Sequence, residues 1–419
     1  MIKSLIVLLV IITSMYMRSD GGVLRASETN RPKFSAKRIV FTKDIAPLLY
    51  KNCTSCHRSG QVAPFPLLTF EDARKHSKEI VALTQNRQMP PWKAKHGYVK
   101  FFGERRLLDE EIKLLKAWVD GGMEFGEEKD MPKPPTFADS WQLGTPDLVV
   151  TMPESVTIPP DGPDFFRVFV LPLDLPSDKY VRAMDIMPSN RKVLHHSTLL
   201  MDPYGAARHM AEQFQGNMPG FSAPGIYIGG WAPGGQVTPF PQGYALKFTK
   251  ETDLIIESHF RPSGKLETEQ TAVGLYFSDK SGLKEPGVAL FYTNNIDLPP
   301  DQITHVKIDQ VTDSNLTIFG IAGHAHLICS AMKVHAILPN KKDVPLLWIP
   351  DWDFNWQEQY RFEKPIFLPK GTRILADFTF DNTLMNFRNP NNPPIQVKFG
   401  PQSSDEMAKI LFNTMPNRR

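Results

Sequence analysis

Leu316-Thr317-Ile318-Phe319-Gly320-Ile321-Ala322-Gly323-His324-Ala325-His326-Leu327 reads as a buried strand that runs into a His-x-His turn. The part from Leu316 to Ala322 is short, apolar and β-branched, as expected of a strand in a sheet interior. Side chains two apart on a strand leave from the same face. His324 and His326 can therefore turn toward one metal ion, with Ala325 out of the way. The plainer reading of the same residues is two histidines on a half-exposed strand. Similar runs are predicted as strands over 148–152, 165–171, 192–201, 254–260, 271–277, 332–338 and 373–380. Turn residues separate them and no long amphipathic helix intervenes. Residues 142–419 therefore read as all-β, most simply one or two sandwiches.

The chain has 419 residues, too many for one ordinary core. Its 41% hydrophobic and 22% charged content is that of a globular protein. A net charge of +3 and the lack of a Lys/Arg block argue against nucleic acid as a partner. Lys3, the apolar run Leu5 to Ile12 and the small residues after it read as a signal peptide over 1–26, with Leu24-Arg25-Ala26 as the cleavage site. An uncleaved anchor is the lesser alternative. The mature chain then has no membrane span and is expected in the periplasm or outside the cell. The cysteines are Cys53, Cys56 and Cys329, enough for at most one disulfide.

Cys53-Thr54-Ser55-Cys56-His57 is the Cys-x-x-Cys-His pattern of covalent c-type haem attachment, with His57 placed to bind the iron. A redox dithiol and half of a zinc site compete with that reading. Helical periodicity is expected over 42–50, 70–84 (with Thr69 as N-cap) and 109–119, ending at Gly121-Gly122. Met89, in the loop Gln88-Met89-Pro90-Pro91-Trp92, is the candidate sixth iron ligand; His76 and His96 are weaker rivals. Residues 36–125 thus read as a small all-α domain similar to bacterial cytochrome c domains. The Pro-bearing stretch 126–141 reads as a linker.

Further histidines sit on predicted strands. His195 and His196 are adjacent, and on a regular strand they would point to opposite faces. Both can serve one ion only if a bulge or bend re-aims one ring. With His259 they would form an all-nitrogen site suited to copper or zinc. Met407, after a Ser-rich turn or helix N-cap at 403–404, is a packing residue by default. Joined to His324 and His326, its thioether would favour Cu(I) over zinc.

Taken together, residues 148–415 resemble the copper type II, ascorbate-dependent monooxygenases, the family of peptidylglycine and dopamine hydroxylases. The resemblance rests on His195-His196, His259, His324-x-His326 and Glu406-Met407 in that order. Asn389-Pro390-Asn391-Asn392-Pro393-Pro394 also resembles bacterial members with a cytochrome c domain in front. It implies a multi-domain protein: the small all-α cytochrome c domain followed by two all-β sandwich, jelly-roll-like subdomains over 142–282 and 283–419. It further implies two copper ions, one held by His195, His196 and His259, the other by His324, His326 and Met407. The implied reaction is hydroxylation of a C–H bond by O2 at the second copper, with ascorbate or another electron donor. The covalent haem offers a second electron entry, with a redox partner protein docking there. The substrate, a small molecule or a peptide, is open. Two rival functions are a non-enzymatic periplasmic electron-transfer or copper-handling protein, and a β-sandwich binding module with structural zinc. The sequence departs from the animal enzymes in lacking their disulfides, and Ala408 stands where they carry a cysteine.

Overall fold

Alternation of buried and exposed side chains organises most of the chain. In Arg373–Asp381 it buries Ile374, Ala376, Phe378 and Phe380 and turns the residues between them outward. The computed structural model describes residues 38–416 apart from 60, 62, 138–140, 210–224, 233, 234, 236 and 401, so the signal peptide expected over 1–26 lies outside the described residues.

Four four-stranded antiparallel sheets form two sandwiches. The first sandwich pairs two sheets. One has the strand order Leu148–Thr151, Ala272–Phe277, Lys179–Met187, Leu246–Phe248; the other runs Phe165–Pro172, Asp253–Phe260, Leu194–Asp202, Ile226–Trp231. Their shared core includes Val181, Leu199, Ile256, Phe260 and Leu275. In the second sandwich one sheet runs Gly287–Thr293, Ala408–Met415, Leu316–His324, Gln359–Leu368. Its partner runs Ile303–Val311, Arg373–Asp381, Cys329–Ile337, Asp343–Ile349. Ile321, Met332, Phe378, Ile410 and Phe412 pack between them. Two short two-stranded sheets complete a total of six.

The expected small all-α cytochrome c domain is not found. The chain is 38% strand and 13% helix, and its helices are short. The longest described one, Asp109–Asp120, has twelve residues. The stretch expected as one helix over 70–84 breaks at His76 into Phe70–Lys75 and Ser77–Gln85. Thr69 does cap the first of these, its hydroxyl accepting from the Asp72 amide at 3.1 Å. These pieces surround an apolar cluster with Phe41, Leu49, Leu115 and Trp118, and Phe41 N donates to the Glu124 carbonyl at 2.8 Å across it, but part of the segment packs elsewhere. After Pro90-Pro91 it leaves the helices and packs Trp92, Ala94, Val99 and Phe101 into the core of the second sandwich. Phe101 pairs with Phe362 in a β-bridge, and Phe102 N donates to Arg361 O at 2.7 Å. Ile39–Arg419 is one compact unit. Among the described residues, no helix is long and apolar enough to cross a membrane.

Phe101, 4% exposed and ringed by Trp92, Tyr360 and Phe362, holds this junction. Phe101→Ala should destabilise the chain by about 3–5 kcal/mol. Chemical denaturation measures this; a loss below about 1 kcal/mol would show that the junction does not hold the segment.

Candidate functional site

The two sandwiches present histidines to each other across a cavity of about 580 Å³. His195 and His196 lie on Leu194–Asp202. The register of that strand against Asp253–Phe260 slips between Leu194 and His196. This bulge is the device that adjacent histidines need in order to share a site. His196 pairs with His259 across the ladder.

The three rings meet through Nδ1. His195 Nδ1 lies 2.9 Å from His196 Nδ1 and 3.2 Å from His259 Nδ1. The outer nitrogen of His195 donates to Asn355 Oδ1 at 3.1 Å. The Asn355 amide is oriented by its own Nδ2, which donates to Asp353. His195 therefore turns a lone pair, not a proton, toward the centre. The outer nitrogen of His259 is buried without a hydrogen-bond partner; its contact with Asp164 Oδ2, at 3.3 Å, falls outside hydrogen-bond geometry. Nitrogens about 3 Å apart match the edge of a coordination shell whose metal–nitrogen bonds are about 2.0–2.1 Å. The donor set fits a metal ion, and the Asn355 contact supplies for His195 the orientation such a ligand needs. Burial, with the neighbouring His259, lowers the pKa of His195 to about 4, and burial holds His196 well below its usual value.

On the facing sheet His324 ends its strand, and His326 follows in the turn. Their ring centroids are 5.1 Å apart at 85°. Here Nδ1 is the outer nitrogen: it donates to Gln357 Oε1 at 2.7 Å in His324 and to the Asp405 carbonyl at 3.1 Å in His326. Nε2 remains to bind. Burial depresses the pKa of His324 to about 3 and of His326 to about 4. Met407, 8% exposed, lines the same cavity. It leads into the strand Ala408–Met415, not into the helix that was the alternative reading.

Glu406 assembles this group. Its side chain is fully buried. One oxygen accepts from the amides of His326 (2.7 Å) and Met407 (3.2 Å), the other from Ile328 (2.8 Å) and Cys329 (3.2 Å). Burial pushes its pKa up to about 8, while the four N–H donors pull it down. They leave neither oxygen free for a proton, so we take the group as ionised.

One segment that the sequence reading passed over touches both clusters. Phe354 stacks on His195 at 5.0 Å and meets His326 edge-on at 5.8 Å. Asn355 and Gln357 hold His195 and His324, and Trp352 Nε1 donates to the His326 carbonyl at 3.1 Å. Three aromatics and two amides within Trp352–Gln357, between two strands, were the available signal.

At the other end of the chain, Cys53 and Cys56 are free thiols on the turn after Ala46–Asn52. Burial pushes the Cys53 pKa up to about 12. His57 Nδ1 donates to the Phe65 carbonyl at 3.0 Å, which leaves Nε2 as its binding atom. The arrangement could hold a covalent haem with His57 as iron ligand. Met89 is 37% exposed and stands outside the apolar cluster that includes Cys53; Met123 and Met131 pack on that cluster instead. His76 stacks on Phe65 and pairs with Glu79, and His96 pairs with Glu104. Cys329 is buried.

No family model matches the chain. No curated protein matches it. Among solved structures, that of PNGF-II is 7% identical with a TM-score of 0.24; the match covers 68% of this chain and 63% of that one. The VP2 subviral particle of infectious bursal disease virus is 9% identical with a TM-score of 0.16, covering 68% and 74%. Likeness this slight carries no argument about fold or function.

Glu406→Gln would set an amide N–H₂ against backbone donors. Metal affinity at His324, His326 and Met407 should fall roughly 10–100-fold while the His195 cluster is unchanged; metal titration of variant and parent decides this. For the metal-free protein, histidines depressed on folding take up protons more readily when unfolded. Stability should be full above about pH 6.5 and fall toward pH 4 as His195, His324 and His326 are driven to protonate. A denaturation midpoint flat over that range would contradict it.

Proposed function

We propose that this protein is an exported copper- and haem-dependent monooxygenase that hydroxylates a C–H bond with O2. One observation carries the reading: two histidine clusters of different donor type meet at one largely apolar cavity, the first reaching it through His196. An all-nitrogen set stands on one side, and His324, His326 and the Met407 thioether on the other. A closed structural zinc site would need neither the cavity nor the thioether. A copper carrier would not need a cavity of ligand size.

Copper held by His324, His326 and Met407 would supply O2 activation, and copper held by His195, His196 and His259 would supply an electron. The overall reaction is R–H + O2 + 2 e⁻ + 2 H⁺ → R–OH + H2O. The chain's own part is positional. Gln357 and the Asp405 carbonyl fix the two imidazoles through Nδ1, and Asn355 fixes His195 through Nε2. The Phe354 ring packs against one imidazole of each cluster, His195 and His326. Glu257 and Lys409 line the cavity beside them. Burial raises the first pKa and lowers the second, so the carboxyl and the ammonium are the groups placed to hold the required protons. Electrons would enter from the haem on Cys53 and Cys56. Gln61, in the loop after His57, accepts from Arg191 at 2.7 Å, four residues before His195. Ascorbate is the alternative donor, and a redox partner protein would dock at the haem segment.

Metal analysis of the chain exported from a host that attaches c-type haem should find two coppers and one haem. Met407→Ala should weaken one copper about 10-fold or more, and Cys53→Ala with Cys56→Ala should slow turnover with a protein reductant. Zinc in both sites, or copper indifferent to Met407, would sink the reading.

A further inference from the structure

Resting on that reading of the cavity, its wall also indicates what occupies it. The sheet that carries His324 presents three rows to the cavity, set by strand register. The row at the metal end holds His324 opposite Lys409. The middle row is Leu290, Leu411 and Ala322, with Gln359 at its edge. The third row is Val288, Asn413, Gly320 and Arg361. Gly320 and His324 are four strand residues apart, roughly 13 Å.

Charge is distributed unevenly over these rows. Among the described residues lining the cavity, Glu257 and Lys409 offset each other, and Glu358 takes Arg105 at 2.6 Å. Arg361 has no such carboxylate. Its Nη1 donates to the Pro239 carbonyl at 2.9 Å, and its guanidinium lies 5.6 Å from the ring of Phe102, which is 61% exposed. Burial lowers its pKa and no acid opposes the shift. Across Gly320, Asn413 buries Oδ1 without a hydrogen-bond partner. A Cβ on Gly320 would lie 3.4 Å from Asn413 Cβ and 3.6 Å from its Cγ, so the amide borders the side-chain-free notch that lies between it and Arg361 in the ladder. The oxygen and nitrogen of an amide exchange by a half-turn, so Asn413 can present a donor there.

We infer that the substrate carries a carboxylate head and an apolar body, the head held by Arg361 with Asn413 and the body lying over Leu290, Leu411 and Ala322. A planar guanidinium suits a carboxylate through two parallel N–H bonds. The span from Arg361 to His324 then sets which C–H is presented: one far from the head group.

The test uses the full exported chain after its metal count, with decanoate, decylamine and decanol compared by calorimetry. Decanoate should bind at least about tenfold tighter than either. Arg361→Met should erase the preference, and Arg361→Lys should keep part of it. Asn413→Leu should weaken decanoate several-fold and leave decanol unchanged. Equal binding of the three probes overturns the inference, as does a preference that survives Arg361→Met in a chain with parental circular dichroism. If Arg361→Met does not fold, an Asn413→Leu chain that binds decanoate like the parent overturns it. Copper uptake without the preference removes the carboxylate anchor and spares the monooxygenase reading. The preference without copper uptake does the reverse.

Discussion

A single buried carboxylate ties together the parts of the chain that meet at the second histidine cluster. Removing an ion from water costs several kcal/mol, and the cost is tolerable only if hydrogen bonds replace the lost hydration. Glu406 obtains them from four backbone amides, of His326, Ile328, Cys329 and Met407. Those amides belong to two segments about eighty residues apart in sequence. The turn after the His324 strand and the start of the final strand are thus fixed to one point. The thioether and the two imidazoles inherit their placement from it.

The sequence revealed the pieces of this site better than the forces joining them. All eight predicted strands exist, because alternation and β-branching are local signals. Gln359–Leu368 and Ala408–Met415 were missed: the first carries charge at Arg361, Glu363 and Lys364, and the second is broken by Lys409 and Asn413. Those polar residues face the cavity or the surface, so their periodicity records function as much as burial. The N-terminal region misled for a related reason. Its helical spacing is real but short, and the chain beyond Pro90-Pro91 pairs with a sheet far along the sequence. A pairing between Phe101 and Phe362 leaves no local trace.

Trp352–Gln357 was the least legible element. Nothing about a loop of aromatics and amides names its partners. Only the fold shows that Asn355 serves one cluster, that Trp352 and Gln357 serve the other, and that Phe354 touches both. Movement of this loop would shift an imidazole of each set at once, because the outer nitrogens of His195 and His324 rest on the same six residues. The two clusters thus share a common support.

The β-bridge at Phe101 makes the boundary between the N-terminal segment and the sandwiches a matter of shared surface. Trp92, Phe102 and Gly103 belong to the first by sequence and to the cavity wall by position. Excising the chain up to Arg105 would leave Tyr360 and Phe362 bare, take the guanidinium from Glu358 and open the cavity on that side. The segment that carries Cys53 and Cys56 is therefore not an interchangeable module. Replacing it with an unrelated one would reshape the chamber that the histidines face, so the two parts are constrained to vary together, as a lid and its vessel must.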